Sequence, residues 1–208
     1  MPSWLNAVLF ILLGYLMGSI PSALIIGKLF YDGVDIREHG SGNLGGSNAM
    51  RVFGKKGGFA VYLMDFFKGG IAVFIAMQLG SEIHPLIVGM LALVGHVYPV
   101  FAGFRGGKAV ASSAGIILFY APIMFSVLFV IFFGTLALMK TISISSVLSS
   151  IATFIMVWWN PFNNPNLDNP IARIIFTLFM VLIVVKHIPN YKRIINGTEP
   201  KVGQSRTP

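Results

Sequence analysis

Six stretches of this chain are apolar enough, and about long enough, to cross a lipid bilayer, and this restricts the fold more than any other feature. They run roughly from Leu5 to Phe30, Gly58 to Gly80, Ile83 to Phe104, Ala109 to Met139, Ile142 to Trp159 and Ile171 to Lys186. About 20 apolar residues span the hydrocarbon as a helix. Lipid offers no partner to a backbone amide, so such stretches must be helical. Composition agrees: 55% of the 208 residues are hydrophobic and 11% are charged, with a mean hydropathy of +0.79. A soluble domain carries about a quarter charged residues. The first stretch has no basic residue before Lys28. It therefore lacks the charged start of a signal peptide and is expected to be retained as a helix. No internal repeat, low-complexity tract or second domain is visible. The expectation is an all-α integral membrane protein, a single polytopic domain over 1–208 with a flexible tail from about 197.

Charge sets the expected sidedness. Fifteen Lys and Arg against seven Asp and Glu give a net charge of +8. In a soluble protein that excess would point to nucleic acid. In a membrane chain it reads as orientation signals and contacts with anionic lipid, and no nucleic-acid partner is expected. Arg37, Arg51, Lys55 and Lys56 lie in the 31–57 loop, and Lys186, Lys192, Arg193, Lys201 and Arg206 lie in the tail. The 80–83 turn and the 160–170 loop have no Lys or Arg. If the 109–139 stretch crossed once, Lys140 and the basic tail would fall outside. If it crosses twice, every loop cation falls inside, and Pro122 near its middle marks the break. The chain is thus expected to cross seven times, N-terminus outside and C-terminus cytoplasmic. The first half of that stretch rises only about 18 Å as a helix. It is expected as a short, tilted or re-entrant helix around 108–120.

Three polar clusters fall on the expected cytoplasmic side. DIREHGSGNLGGSNAMR, 35 to 51, combines Gly40, Gly42, Gly45 and Gly46 with the donors Ser41, Asn43, Ser47 and Asn48 and ends on Arg51. Successive amides in such a loop form anion nests, and an arginine binds phosphate bidentately. A plain flexible loop reads the same way, and the Walker A pattern is absent. GHVYPVFAGFRGGKAVASS, 95 to 113, places Arg105 and Lys108 around Gly106 and Gly107 just before a helix, where anions are favoured. The plainer reading is a pair of headgroup anchors. His96 reads as a core or interfacial histidine orienting Tyr98 or a loop carbonyl. KHIPNYKRIINGTEP, 186 to 200, sets His187 and Asn190 three apart, at the inner end of the last stretch. Asp65 and Lys68 lie within ion-pair reach on one helix face, and such residues inside a span mark either function or a structural pair. Ser143, Ser145 and Ser146 follow Lys140 as helix-entry hydroxyls, for which capping is the plainer role.

Absences exclude several chemistries. There is no cysteine, so no disulfide and no thiol nucleophile. There is no H-E-x-x-H or Cys/His ligand set, and no metal or organic cofactor is expected. No G-x-S-x-G occurs, and no histidine is followed five positions later by aspartate.

In order along nearly the whole chain, GSIPSALIIGKL, DIREHGSGNLGGSNAMR, DFFKG, GHVYPVFAGFRGGKAVAS, the serines after Lys140 and HIPNYKRIINGTEPK resemble the bacterial acyl-phosphate:glycerol-3-phosphate acyltransferases, the PlsY family. The resemblance implies a seven-helix enzyme of the bacterial cytoplasmic membrane. It would move a fatty acyl group from acyl phosphate to the sn-1 hydroxyl of glycerol 3-phosphate, the first step of phospholipid synthesis. It makes Ser41, Gly42, Asn43, Gly45, Gly46, Ser47, Asn48 and Arg51 the phosphate loop, with Gly106, Gly107 and Ser146 as further substrate contacts and Ser143 as a near competitor of Ser146. Lys108, His187 and Asn190 become catalytic, and His96, Asp65, Lys68 and Arg105 support them. The implied partners are the two substrates and membrane lipids; no oligomeric state is implied. An acyl phosphate is already activated, so no protein nucleophile is needed. The base is either His187 or the donor's own phosphate, with the second favoured. An organic-phosphate transporter is the alternative, but it should show duplicated halves, and none is visible. A non-catalytic scaffold would not need glycines clustered beside cations.

Overall fold

The computed structural model describes residues 2–202, and among them all regular structure is helical. The chain falls into two compact units, Met1–Tyr120 and Ala121–Pro208. The first unit contains α1 (Ser3–Ser19), α2 (Ser22–Phe30), α3 (Gly46–Val52), α4 (Gly54–Gln78), α5 (Pro85–Val97) and α6 (Val110–Tyr120). The second contains α7 (Pro122–Met139), α8 (Ile142–Trp159), α9 (Pro170–Lys186) and α10 (Ile188–Ile195).

Four segments are individually long and apolar enough to cross a membrane: α4, α7, α8 and Pro85–Ala102, which extends α5 through a 3-10 turn. The pairs α1–α2 and α9–α10 also qualify, each bent by 46°. The first expected span is therefore corrected. It is not one helix from Leu5 to Phe30 but two, broken at Ile20–Pro21, because proline lacks an N–H and its ring clashes with the preceding turn. Pro122 acts as expected: α6 stops at Tyr120 and α7 opens with the proline in its first turn. At 11 residues, α6 rises only about 16 Å.

In the first unit α1 packs on α5 and α4 packs on α6. Lipid tails are as apolar as leucine, so helix pairing in a membrane relies on close fit rather than on escape from water. Small residues supply that fit. A Cβ at Gly69 would come within 2.5 Å of the Ser112 carbonyl oxygen, and one at Gly115 would collide with the Phe66 carbonyl. In the second unit α8 packs against both α7 and α9, with Phe176 and Phe179 edge to face at 5.3 Å. Much of α7 is exposed, including Phe129, Val130, Phe133 and Leu138; an all-apolar exposed face suits lipid.

Residues 197–202 make hydrogen bonds within the second unit. Thr198 and Glu199 donate backbone N–H bonds to the Arg193 carbonyl, and Val202 donates to the Lys140 carbonyl at 2.7 Å. The remainder of the expected flexible tail, 203–208 with Arg206, lies outside the described residues.

Replacing Gly115 by leucine should separate α6 from α4. Overpacking of this kind costs about 1–3 kcal/mol or more. Thermal unfolding in detergent should drop by several degrees, whereas Gly134→Leu on α7, where nothing lies within 4 Å of an added Cβ, should leave it unchanged.

Candidate active site

In the first unit the glycine-rich loop is shaped by its own side chains. Asp35 opens a 3-10 turn, Ile36–Glu38, by accepting from the Arg37 backbone N–H at 2.9 Å. The Arg37 guanidinium, hydrogen-bonded to Asp35, holds the carboxyl below its ordinary pKa. Arg37 also reaches the Ala102 carbonyl at 3.2 Å, which ties the loop's start to the segment before the RGGK turn. Asn48 is 1% exposed. Its Oδ1 accepts from Ser41 N–H at 2.9 Å, and its Nδ2 donates to the His39 and Ile36 carbonyls at 3.0 and 3.3 Å. Both of its amide hydrogens are used. Asn48, expected among the substrate donors, thus spends its amide hydrogens bracing the loop from within. Gly40 and Gly42 take φ values of +62° and +69°, where a side chain would be strained.

Asn43 joins the glycine loop to the RGGK turn. Its Oδ1 accepts from Gly45 N–H at 2.9 Å, and its Nδ2 donates to the Gly106 carbonyl at 3.3 Å. The glycine loop and the RGGK turn, joined here by residues 63 apart in sequence, are thus bonded directly. Gly46 begins α3 flat against the Tyr62 ring, and the Ser47 hydroxyl meets the Tyr62 hydroxyl at 2.6 Å. Ser41, Gly42 and Arg51 are exposed.

The two glycines of the RGGK turn are required by packing. Gly107 N–H donates to the His96 carbonyl at 3.0 Å. A Cβ at Gly106 would lie 2.6 Å from the Val97 carbonyl, and one at Gly107 would collide with the His96 ring. Lys108 is half-buried, and the fully buried Ala109 that follows it holds φ +64° just before α6. Arg105 is exposed beside the left-handed pair Gly103 and Phe104. The expected Asp65–Lys68 pair is present at 2.8 Å and nearly fully buried. His96 Nδ1 lies 3.5 Å from the same Asp65 oxygen.

In the second unit His187 joins α9 to α10 and is 3% exposed. Its Nδ1 lies 2.7 Å from the Ile183 carbonyl. A carbonyl only accepts, so Nδ1 carries the hydrogen and Nε2 of the neutral ring keeps a lone pair. Asn190 donates to Glu199 Oε1 at 2.6 Å, Ser143 Oγ donates to the same oxygen at 2.8 Å, and Arg193 Nε donates to Oε2 at 2.7 Å. The Ser145 and Ser146 hydroxyls instead bond carbonyls four residues back, those of Thr141 and Ile142. None of the three serines caps α8, and Ser143 is the one that joins Asn190. Sequence reasoning missed Glu199. Its only signal was a lone carboxylate in a cationic tail, just after Gly197, which turns the chain at φ +67°. Burial pushes the Glu199 pKa up, but hydrogen bonds from Asn190, Ser143 and Arg193, with the Arg193 charge, outweigh it and hold the carboxyl below its ordinary value.

A family model described as glycerol-3-phosphate acyltransferase matches residues 8–197. Glycerol-3-phosphate acyltransferases of Bacillus velezensis and Bacillus subtilis are each 47% identical to this chain over 194 residues, covering 93% of it and 96% of the relative. The fold is similar to the crystal structure of PlsY (YgiH), an integral membrane glycerol 3-phosphate acyltransferase, in its glycerol 3-phosphate form. That match has a TM-score of 0.84 at 31% identity, over 95% of this chain and 96% of that one. The lysophosphatidic acid form of PlsY gives a TM-score of 0.82.

The Glu199 cluster should make stability depend on pH in one direction. Its folded pKa lies below the ordinary value of 4.5, so the unfolded state binds the proton more readily. The contribution is present above the unfolded pKa and lost as pH falls through the folded one. Glu199→Gln should therefore unfold more easily than the parent protein near about pH 7, and the gap should narrow on acidification toward about pH 3.5. An equal gap at both pH values would contradict this.

Proposed function

The chain belongs to the glycerol-3-phosphate acyltransferase family and is a membrane-embedded enzyme that transfers an acyl group to glycerol 3-phosphate; we propose that its donor is acyl phosphate and that the reaction proceeds by direct attack, with no acyl-enzyme. The observation that carries this reading is the Asn43–Gly106 hydrogen bond of 3.3 Å. It fastens the glycine loop, with Arg51, to the turn that bears Lys108, so that two backbone segments and two cations belong to one frame. Such a frame suits substrates that each carry a phosphate.

The chemistry asks little of the protein beyond position and charge. The sn-1 hydroxyl oxygen of glycerol 3-phosphate attacks the acyl carbonyl carbon. A carbon–oxygen ester bond forms, the bond between the acyl carbon and the phosphate oxygen breaks, and the hydroxyl proton leaves on the departing phosphate. The products are 1-acyl lysophosphatidic acid and inorganic phosphate. Arg51 and Lys108 offset the phosphate charges, the Ser41 hydroxyl and the Gly46 amide add donors, and Gly42 and Gly45, whose own amides bond the His39 carbonyl and Asn43 Oδ1, shape the loop around them. Two anions held in place, with charge stabilisation where it develops, supply most of the acceleration. His187 accepts a hydrogen bond through Nε2, and Asn190 is held by Glu199. The donor phosphate serves as the base.

The proposed insertion has seven crossings: the α1–α2 pair, α4, α5, α6, α7, α8 and α9. With the N-terminus outside, the 31–53 loop, the RGGK turn, Lys140 and the basic tail then all face the cytoplasm of a bacterial inner membrane. A transporter is not favoured by the family.

Purified protein with acyl phosphate and labelled glycerol 3-phosphate should form lysophosphatidic acid, and Lys108→Ala should lose about 100-fold or more in kcat/KM. No product above the Lys108→Ala control would falsify the acyl-phosphate reading, as would equal product from acyl-coenzyme A. A protein general base typically contributes about 10²–10⁴-fold. With the donor phosphate as base, His187→Gln should lower kcat by less than about 100-fold, whereas a loss toward the upper end of that range would make His187 the base.

A further inference from the structure

Asp65, Lys68 and His96 form a buried charged cluster that the acyl-transfer chemistry does not use. Their side chains are 2%, 7% and 5% exposed. Ionisable groups within spans are costly, and a buried ion pair is often no more stabilising than apolar residues of similar volume. Stability alone is therefore a poor reason to carry this trio.

The contacts of the cluster show where its influence goes. Three groups converge on one carboxylate oxygen, Asp65 Oδ1: Ser22 Oγ at 2.7 Å, Lys68 Nζ at 2.8 Å and His96 Nδ1 at 3.5 Å. Lys68 Nζ also donates to the Ile20 carbonyl at 2.9 Å, at the break between α1 and α2. On the other side, Gly107 rests directly on the His96 ring, with no room for a Cβ, and its N–H bonds the His96 carbonyl at 3.0 Å. A small cavity of about 10 Å³ is bounded by the trio together with Leu44 of the glycine loop and Gly107 of the turn. One carboxylate thus connects the broken first span, α4 and α5, and His96 in turn meets the turn that bears Lys108.

We propose that Asp65 is a positioning residue for the phosphate site: by anchoring the His96 ring against Gly107 it fixes the Gly106–Gly107 turn and so the reach of Lys108. The proposal rests on the reading of Lys108 as a phosphate ligand. Its physical basis is that the turn has a hard floor. With no side chain at Gly107 to cushion it, displacement of the imidazole passes directly to the backbone next to Lys108. A misplacement of about 1 Å at a reacting site costs on the order of 100-fold.

The test uses full-length enzyme in lipid nanodiscs, with kcat, KM for glycerol 3-phosphate and thermal unfolding measured together. The double variant Asp65→Asn, Lys68→Gln removes both charges, keeps hydrogen-bonding groups and leaves no isolated buried cation. His96→Asn removes the ring without touching the ion pair. Each should raise KM for glycerol 3-phosphate by about tenfold or more, with thermal unfolding close to the parent. Combining all three changes should add little, because they act through one contact. In a Lys108→Ala background neither should reduce the residual activity much further, since no lysine remains to be placed. KM unchanged in both variants would overturn the proposal, and so would a full multiplicative loss on top of Lys108→Ala. If the double variant does not fold, His96→Asn alone decides. Normal activity in Lys108→Ala would remove the phosphate-site reading itself. A defective Lys108→Ala beside unaffected Asp65 and His96 variants would remove the positioning role only.

Discussion

Hydrocarbon offers no partner to a backbone N–H or carbonyl, so each interruption of helix in this chain has to be answered from within the protein. The break at Ile20–Pro21 is the clearest case. It exposes the Ile20 carbonyl, which Lys68 Nζ takes at 2.9 Å. The lysine then needs a counter-charge at depth, and Asp65 provides it at 2.8 Å. The RGGK turn is treated alike, with Gly107 N–H on the His96 carbonyl. Polar groups therefore enter the interior along the path that the broken backbone opens, and the bonded glycine loop and RGGK turn lie on the same path.

Much of the fold was legible because hydropathy and proline act locally. The apolar runs gave the helices, and Pro122 correctly divided the 109–139 stretch into α6 and α7. Pro21 carries the same signal but was passed over, because the run from Leu5 to Phe30 is apolar on both sides of it and hydropathy does not register a 46° bend. Pro189 sits in the first turn of α10, a position where its missing N–H costs nothing. The kink there falls at His187, which ends α9 and starts α10.

The site was less legible, because its design depends on which side chains meet. Glycines beside cations marked out two loop segments that Asn43 and Gly106 bond together. The same composition could not separate donors that face a ligand from donors that brace the loop, and Asn48 proved to be of the second kind. The choice between Ser143 and Ser146 was likewise undetermined. Three residues apart on α8, they present similar faces, and what distinguishes them is Glu199, brought in from 56 residues away to accept from Ser143 at 2.8 Å. A lone glutamate among basic tail residues gives no local sign of that role. The glycines of the RGGK turn were noticed for a reason that proved incomplete, since what demands them is the floor formed by His96 and Val97.

Ala109 holds a left-handed backbone at φ +64° while fully buried. Glycine would adopt this geometry without penalty, whereas alanine accepts strain on the order of 1 kcal/mol. A methyl group also bars most of the other shapes glycine would sample. The peptide between Lys108 and α6 is in this way made a stiff joint where a swivel would have been easier to build. Lys108 thus sits beside a rigid peptide, and the cost of ordering that segment is met when the chain folds.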